Sequence, residues 1–209
     1  AQRLPGVSHA IRAAAGFDAR RPLPAFSARP WLAGQPRGEP KGDRVAVLLA
    51  DTFNNHFEPA NLAAARRVMD SAGFAVVAVR AKDSRPLCCG RTYLSAGMVD
   101  RAKAESARVL AALAPWIERG IPVVGLEPSC LYTLKDEFLA LHPGDPRAKA
   151  LADLAVTFDT FMAGALREGA KPAWKAGVAP EYLVHGHCHQ KAFGAFEDTL
   201  AMLRAVPGA

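Results

Sequence analysis

Four cysteines and a histidine-rich run carry the chemistry available to this 209-residue chain. Cys88 and Cys89 are adjacent and followed by Gly90, Cys130 closes the run Glu127-Pro-Ser-Cys130, and Cys188 stands among His185, His187 and His189. Adjacent thiolates chelate a single small ion poorly, because neighbouring side chains diverge. An iron–sulfur cluster offers separate metal atoms, so neighbouring sulfurs can bind different irons. Gly90 would let the backbone approach closely and donate N–H to sulfur, a lever on cluster potential, and Arg91 would offset anionic charge. Zinc is the competing centre. Cys88 or Cys89, with Cys130, Cys188 and a histidine, would complete a tetrahedral set, although the chain has no CxxC pair. The histidines admit two further roles: imidazolium neighbours that lower the Cys188 thiol pKa and make it a nucleophile, or groups that ligate or support a cluster sulfur. Plainer roles compete with these. Isolated cysteines pack as small hydrophobes, and a histidine at a helix start can cap it. His56, within Asp51–Pro59, is another candidate whose polar neighbours equally suit a helix cap, while His9 and His142 carry no signal.

The elements that must position these residues follow from hydrophobic patterning. Val45–Ala50 is a short apolar run suited to a strand buried on both faces. Glu58-Pro59 opens a helix with proline in its first turn, and Gly73 is placed to end it. Phe74–Val79 predicts a second strand, Met98 to about Ile117 a long helix and Ile121–Leu126 a third strand. Helices are expected at about Leu131–Leu141 and Arg147–Glu168, a fourth strand at Tyr182–His185, and a last helix from Gln190 to about Leu203. Strands alternating with helices of this length imply a parallel sheet, hence an α/β three-layer sandwich. In such sheets ligands gather beyond the carboxyl ends of the strands. Asp51-Thr52, Cys88-Cys89-Gly90, Glu127–Cys130 and His185–His189 each follow an expected strand, so all four segments should meet on one rim.

Composition narrows the function classes. Half the residues are apolar and 22% are charged, as in globular proteins rather than disordered ones. No uncharged apolar run approaches the roughly 20 residues of a membrane helix, and no signal peptide opens the chain. Cysteine is too sparse for a secreted disulfide framework. The net charge of +6 suggests nucleic acid until it is located: residues 1–44 hold eight Lys/Arg against Asp18, Glu39 and Asp43, which leaves the remainder close to neutral. That basic, proline-rich leader reads as an extended docking segment with a short helix around Val7–Ala15, and no aromatic–basic interleaving suggests a nucleic-acid surface. No GxGxxG follows the first strand, no GxxxxGK[ST] occurs, and neither a serine elbow nor a carboxylate pair presents itself.

Taken in order, Cys88-Cys89-Gly90, Glu127-Pro-Ser-Cys130 and His185-Gly-His-Cys-His-Gln-Lys191 resemble the cysteine-rich CCG domain. That domain occurs in the B subunit of heterodisulfide reductase, the iron–sulfur subunit of glycolate oxidase and the C subunit of anaerobic glycerol-3-phosphate dehydrogenase. The likeness is strongest to the carboxyl-terminal region of FAD-linked oxidases of the D-lactate/glycolate dehydrogenase kind, and it covers residues 44–207. The resemblance implies two homologous α/β halves, here a leader over 1–43, a first half over 44–180 and the start of a second over 181–209. Cys88, Cys89 and Cys130 match the first half and Cys188 the lone cysteine of the second. Asp51 or Thr52 stands where another lone cysteine is expected, and Glu127 where the CxxC-like element begins. The chain ends at Ala209 before a second Cys-Cys-Gly, so the second half would be truncated and a 4Fe-4S cluster would lack part of its ligand set. By the same resemblance Cys88, Cys89, Cys130 and Cys188 would be ligands, with Gly90, Arg91, Glu127, His185, His187 and His189 around them. The implied role is electron transfer in a 2-hydroxy-acid oxidoreductase, from FAD on a partner domain or subunit toward a quinone or carrier protein, in the cytoplasm or at the inner face of the membrane. The alternative is a zinc-binding or apo module that docks on a flavoprotein without carrying electrons.

Overall fold

A computed structural model describes residues 6–18, 20–21, 24–83, 85–174 and 181–208. The apolar run at 45–50 forms β1 (Val45–Leu48), in which Ala46, Val47 and Leu48 are fully buried. It pairs in parallel with β2 (Ala75–Val77) on one side and β3 (Val123–Gly125) on the other, and β3 pairs in parallel with β4 (Ala155–Thr157). The strand order is β2-β1-β3-β4, with Val47 opposite Val77 and Val123, and Val124 opposite Val156. Because side chains alternate across a strand, each face of the sheet builds its own core. Val47, Val77 and Val123 meet Leu110 and Leu113 of α5 (Val99–Ile117), Leu131 and Leu134 of α6 (Pro128–Lys135) and Phe138 of α7 (Glu137–Leu141). Ala46, Leu48 and Val124 meet Leu62 and Met69 of α3 (Pro59–Ser71) and Met162 of α9 (Phe158–Arg167). This is the expected three-layer α/β arrangement. Burying side chains such as Leu62, Leu110 or Phe138 stabilises the fold by about 1.5–3 kcal/mol each.

The fourth strand differs from expectation. Residues 181–187 form no strand, and Leu183 is 97% exposed. The place beside β3 belongs instead to Ala155–Thr157, which the helical spacing of 147–168 concealed. There α8 (Pro146–Leu154) runs straight into β4, and Thr157 caps α9 by accepting from the Thr160 N–H. The helix expected at 131–141 breaks at Asp136 into α6 and α7, and the last one breaks at Gly194 (φ 69°) into α10 (Cys188–Ala192) and α11 (Phe196–Arg204).

In the leader, α1 (Val7–Ala14) matches the expected short helix. A 3-10 turn at Trp31–Gly34 buries Trp31 in the core against α3, and Arg80 donates to the Leu32 and Gln35 carbonyls, so this stretch docks on the sheet. The boundary expected after residue 180 falls on 175–180, outside the described residues. None of the described helices is long and apolar enough to cross a membrane.

Candidate functional site

Strand order reverses between β1 and β3, and the loops leaving β1, β2 and β3 meet at their carboxyl ends. The crevice there is lined by Asp51 and Thr52 after β1, Leu87, Cys88 and Cys89 after β2, and Cys130 after β3, with a free volume of about 10 Å³. That is room for about one water molecule. Three of the four predicted cysteines therefore meet on one rim, Cys89 and Cys130 buried and Cys88 half-buried.

The chain folds this way locally because of Gly90. It precedes α4 (Arg91–Ser95) at φ 81°, a left-handed conformation open to glycine, and a Cβ there would meet the Ala102 carbonyl oxygen at 3.1 Å. The loop thus presses against α5 and turns its N–H back onto Cys88, where Gly90 N donates to Sγ at 3.4 Å. This is the backbone-to-sulfur bond that the sequence predicted. The thiols form a chain. A hydrogen bond with Cys89 is the leading influence pushing the Cys88 thiol pKa up, followed by burial, while the Gly90 N–H and the Thr52 hydroxyl act the other way. Cys89 is pushed up to about 12, chiefly by its hydrogen bond with Cys130.

Two carboxylates flank them, each occupied by a helix start. Asp51 accepts from the N–H groups of Phe53 and Asn54, both at 3.0 Å, and from the Asn54 side chain at 2.8 Å, and so caps α2 (Thr52–His56). Burial is the main cause of its raised pKa, and the negative charge of Glu127 adds to it. Glu127 caps α6, accepting from the Ser129 hydroxyl at 2.6 Å and its N–H at 3.3 Å. Arg91 is engaged by Glu137 of α7 in an ion pair. His56 lies at the end of α2 with its Nε2 3.1 Å from the Asn55 side-chain nitrogen.

Cys188, expected on the same rim, is not among the residues that line the crevice, and no strand carries it. It is exposed at the start of α10, which packs on α6 through the stacked rings of Phe193 and Tyr132, 4.3 Å apart. Gln190 ties this helix to the first turn of α9 by donating to Asp159 at 2.6 Å, and Thr199 of α11 donates to the same carboxylate. Sequence reasoning missed this Asp159–Gln190–Thr199 link, which joins residues far apart in the chain. His187 takes the plainer role: it caps α10, its Nδ1 accepting from the His189 N–H at 3.2 Å while its own N–H donates to Gln190. Its Nδ1 is 3.9 Å from the Cys188 sulfur. His185 is exposed, and the Nδ1 of His189 is buried with no hydrogen-bond partner among the described residues. Among those residues no three His, Cys, Asp or Glu side chains are grouped around one point as a single metal ion would need. Cys88, Cys89 and Cys130 supply three thiols to the crevice, with a backbone N–H on the sulfur of Cys88 and apolar walls from Leu49, Leu87, Val109 and Leu134; these are donors of the type that could hold an iron–sulfur cluster.

Fold and site together define an α/β protein with a thiol-lined crevice where the strand order reverses. Over its whole length the chain is 24% identical to the C subunit of anaerobic glycerol-3-phosphate dehydrogenase from Escherichia coli K12, and equally to that from Escherichia coli O157:H7. The alignment covers 100% of this chain and 52% of each relative, so the chain spans about half their length. No protein-family model matches the chain. No solved structure matches it either.

Proposed function

We propose that the chain is an iron–sulfur electron-transfer unit of a flavin-linked dehydrogenase. The observation that carries this reading is that Cys88, Cys89 and Cys130 line one crevice, the last two buried, with the Gly90 N–H aimed at the half-buried Cys88. Cys88, Cys89 and Cys130 would hold the cluster, with Cys188 on α10 as the fourth thiolate. When bound, a 4Fe-4S cluster supplies a one-electron carrier. The chain's own residues set its potential: the Gly90 N–H draws charge from sulfur, and Leu49, Leu87 and Val109 exclude water. Metal loading must displace thiol protons, so the raised pKa of Cys89 makes uptake favour alkaline solution. Arg91, Glu127, His185, His187 and His189 shape the surroundings as ion-pair, capping and proton-carrying groups.

The similarity to one component of a dehydrogenase supports a place in a multi-component enzyme. In this reading FAD on a partner domain or subunit oxidises a small 2-hydroxy acid. The electrons pass through the cysteine centre to a quinone or carrier protein, in the cytoplasm or against the membrane's inner face. A second reading rests on Asp51 and Glu127, which stand where cysteines were expected and are engaged as caps: a zinc-binding or metal-free module that docks on a flavoprotein. Metal analysis of the protein purified without oxygen separates the two. Iron with acid-labile sulfide, lost in the Cys88→Ser, Cys89→Ser double variant, is the expected result. Stoichiometric zinc without iron, or iron unchanged in the double variant, refutes the electron-transfer reading.

A further inference from the structure

A second, larger cleft lies away from the thiols. It has a free volume of about 720 Å³ and is walled by the docked leader at 32–39, the end of β2 with the residues after it, and α5. That volume falls within the roughly 300–1,000 Å³ of small-molecule sites. Its floor is apolar, formed by Leu32, Val79, Ala112 and Trp116 among others; Asn55 and His56 of α2 also line it, and its charged groups are mostly basic. Arg37, Arg80, Lys82 and Arg85 face it against the single carboxylate of Glu39.

The charges do not cancel within the cleft. Glu39 is spent on Arg119 at 3.0 Å, outside the lining. Arg85 is spent on Asp83 at 2.9 Å, and Arg80 on the leader carbonyls of Leu32 and Gln35. Arg37 and Lys82 have no hydrogen-bond or ion-pair partner among the described residues. Burial and the nearby positive charge of Arg37 both lower the pKa of Arg80, as expected of two guanidinium groups with no anion between them.

We propose that this cleft binds a small organic anion, an oxyacid head group on an apolar body. The head would lie between Arg37, Arg80 and Lys82 and the body against Trp116 and Val79. An oxyanion suits two unspent cations and one preorganised guanidinium, which offer charge-assisted hydrogen bonds. The apolar floor suits a ring or short chain, because inorganic phosphate alone would leave it wet. Leu87, which precedes Cys88, lines both this cleft and the thiol crevice. The site needs no metal at the cysteines, so it stands or falls separately from the electron-transfer reading.

Calorimetric titration of the metal-free chain with 1-naphthyl phosphate, 1-naphthoate, 1-naphthol and inorganic phosphate tests the proposal. One-site binding of at least one of the two naphthyl anions is expected, weakened about tenfold by Arg37→Gln and again by Lys82→Gln, the scale of losing one charge-assisted hydrogen bond. Both side chains are exposed, so neither substitution should disturb folding, which circular dichroism checks. Quenching of Trp116 fluorescence, absent in Trp116→Phe, places the ring in the cleft. Whichever head group binds more tightly tells phosphate from carboxylate. Equal affinity for 1-naphthol, no saturable heat with either anion, or affinity unchanged in both Gln variants overturns the proposal.

Discussion

The Gly90→Ala substitution probes the turn that presents the thiols. Gly90 and Gly97 bracket α4 with similar backbones, φ 81° and 72°, so alanine at either position is held in the left-handed region. That conformation costs a non-glycine residue about 1–2 kcal/mol. The positions differ in space. A Cβ at Gly97 meets nothing within 4 Å, whereas one at Gly90 meets the Ala102 carbonyl oxygen at 3.1 Å and its Cα at 3.2 Å, both rigid backbone of α5. Overpacking against an unyielding neighbour adds about 1–3 kcal/mol. Gly97→Ala should therefore lower unfolding free energy by about 1 kcal/mol and Gly90→Ala by about 3 kcal/mol. Urea unfolding followed by far-ultraviolet circular dichroism, with m-values checked for equality, measures both. Equal losses at the two positions would refute the close approach of this loop to α5, and with it the reason given for the Gly90 N–H reaching Cys88.

Three further outcomes follow from the same structure. In metal-free protein at pH 8, iodoacetamide should label the exposed Cys188 and leave Cys89 unmodified, because a thiol pushed up to about 12 is about one part in 10⁴ thiolate there; peptide mapping that finds Cys89 labelled first contradicts the thiol chain. Asp145, which caps α8 and is hydrogen-bonded by the Arg147 side chain and N–H, is held at about 2 in the fold against an ordinary 3.8. The unfolded chain then takes up this proton first. Stability from the group is complete above about pH 4 and lost as pH falls through about 2, and Asp145→Asn should flatten that part of the acid-unfolding profile. Trp31→Ala should cost about 3–5 kcal/mol, as for a buried aromatic side chain, and speed tryptic cleavage at Arg37 and Lys41; an unchanged melting curve would mean the leader is not part of the core.

The sheet's inner strands were legible because burial on both faces leaves an unbroken apolar run, as at Val45–Leu48. The order of the cysteine loops followed from that alone. β4 was not legible. Its three residues lie between helices without a glycine or proline to separate them, and Leu151, Ala152 and Met162 keep helical spacing on either side. Tyr182–Val184 has strand composition, but the sheet position next to β3 is filled by β4, so composition there found no partner. In the site, Gly90 was legible as a place of close backbone approach, but the neighbour it approaches, the Ala102 carbonyl of α5, was not. The capping of α10 by His187 was open in the sequence as one alternative, since a histidine before Cys188 has the same spacing whether it caps or ligates. The burial of Asp159 under Gln190 depends on a contact 31 residues apart, and no local pattern reports it.

The central claim is that Cys88, Cys89 and Cys130 hold a redox-active iron–sulfur centre. Anaerobic reconstitution of the chain with iron and sulfide, followed by electron paramagnetic resonance of the dithionite-reduced protein, tests it most directly. The expected result is broad visible absorbance that bleaches on reduction, with a paramagnetic cluster signal that disappears in Cys130→Ser while circular dichroism stays native. A Cys130→Ser protein with the same iron content and the same signal as the unmodified chain would contradict it.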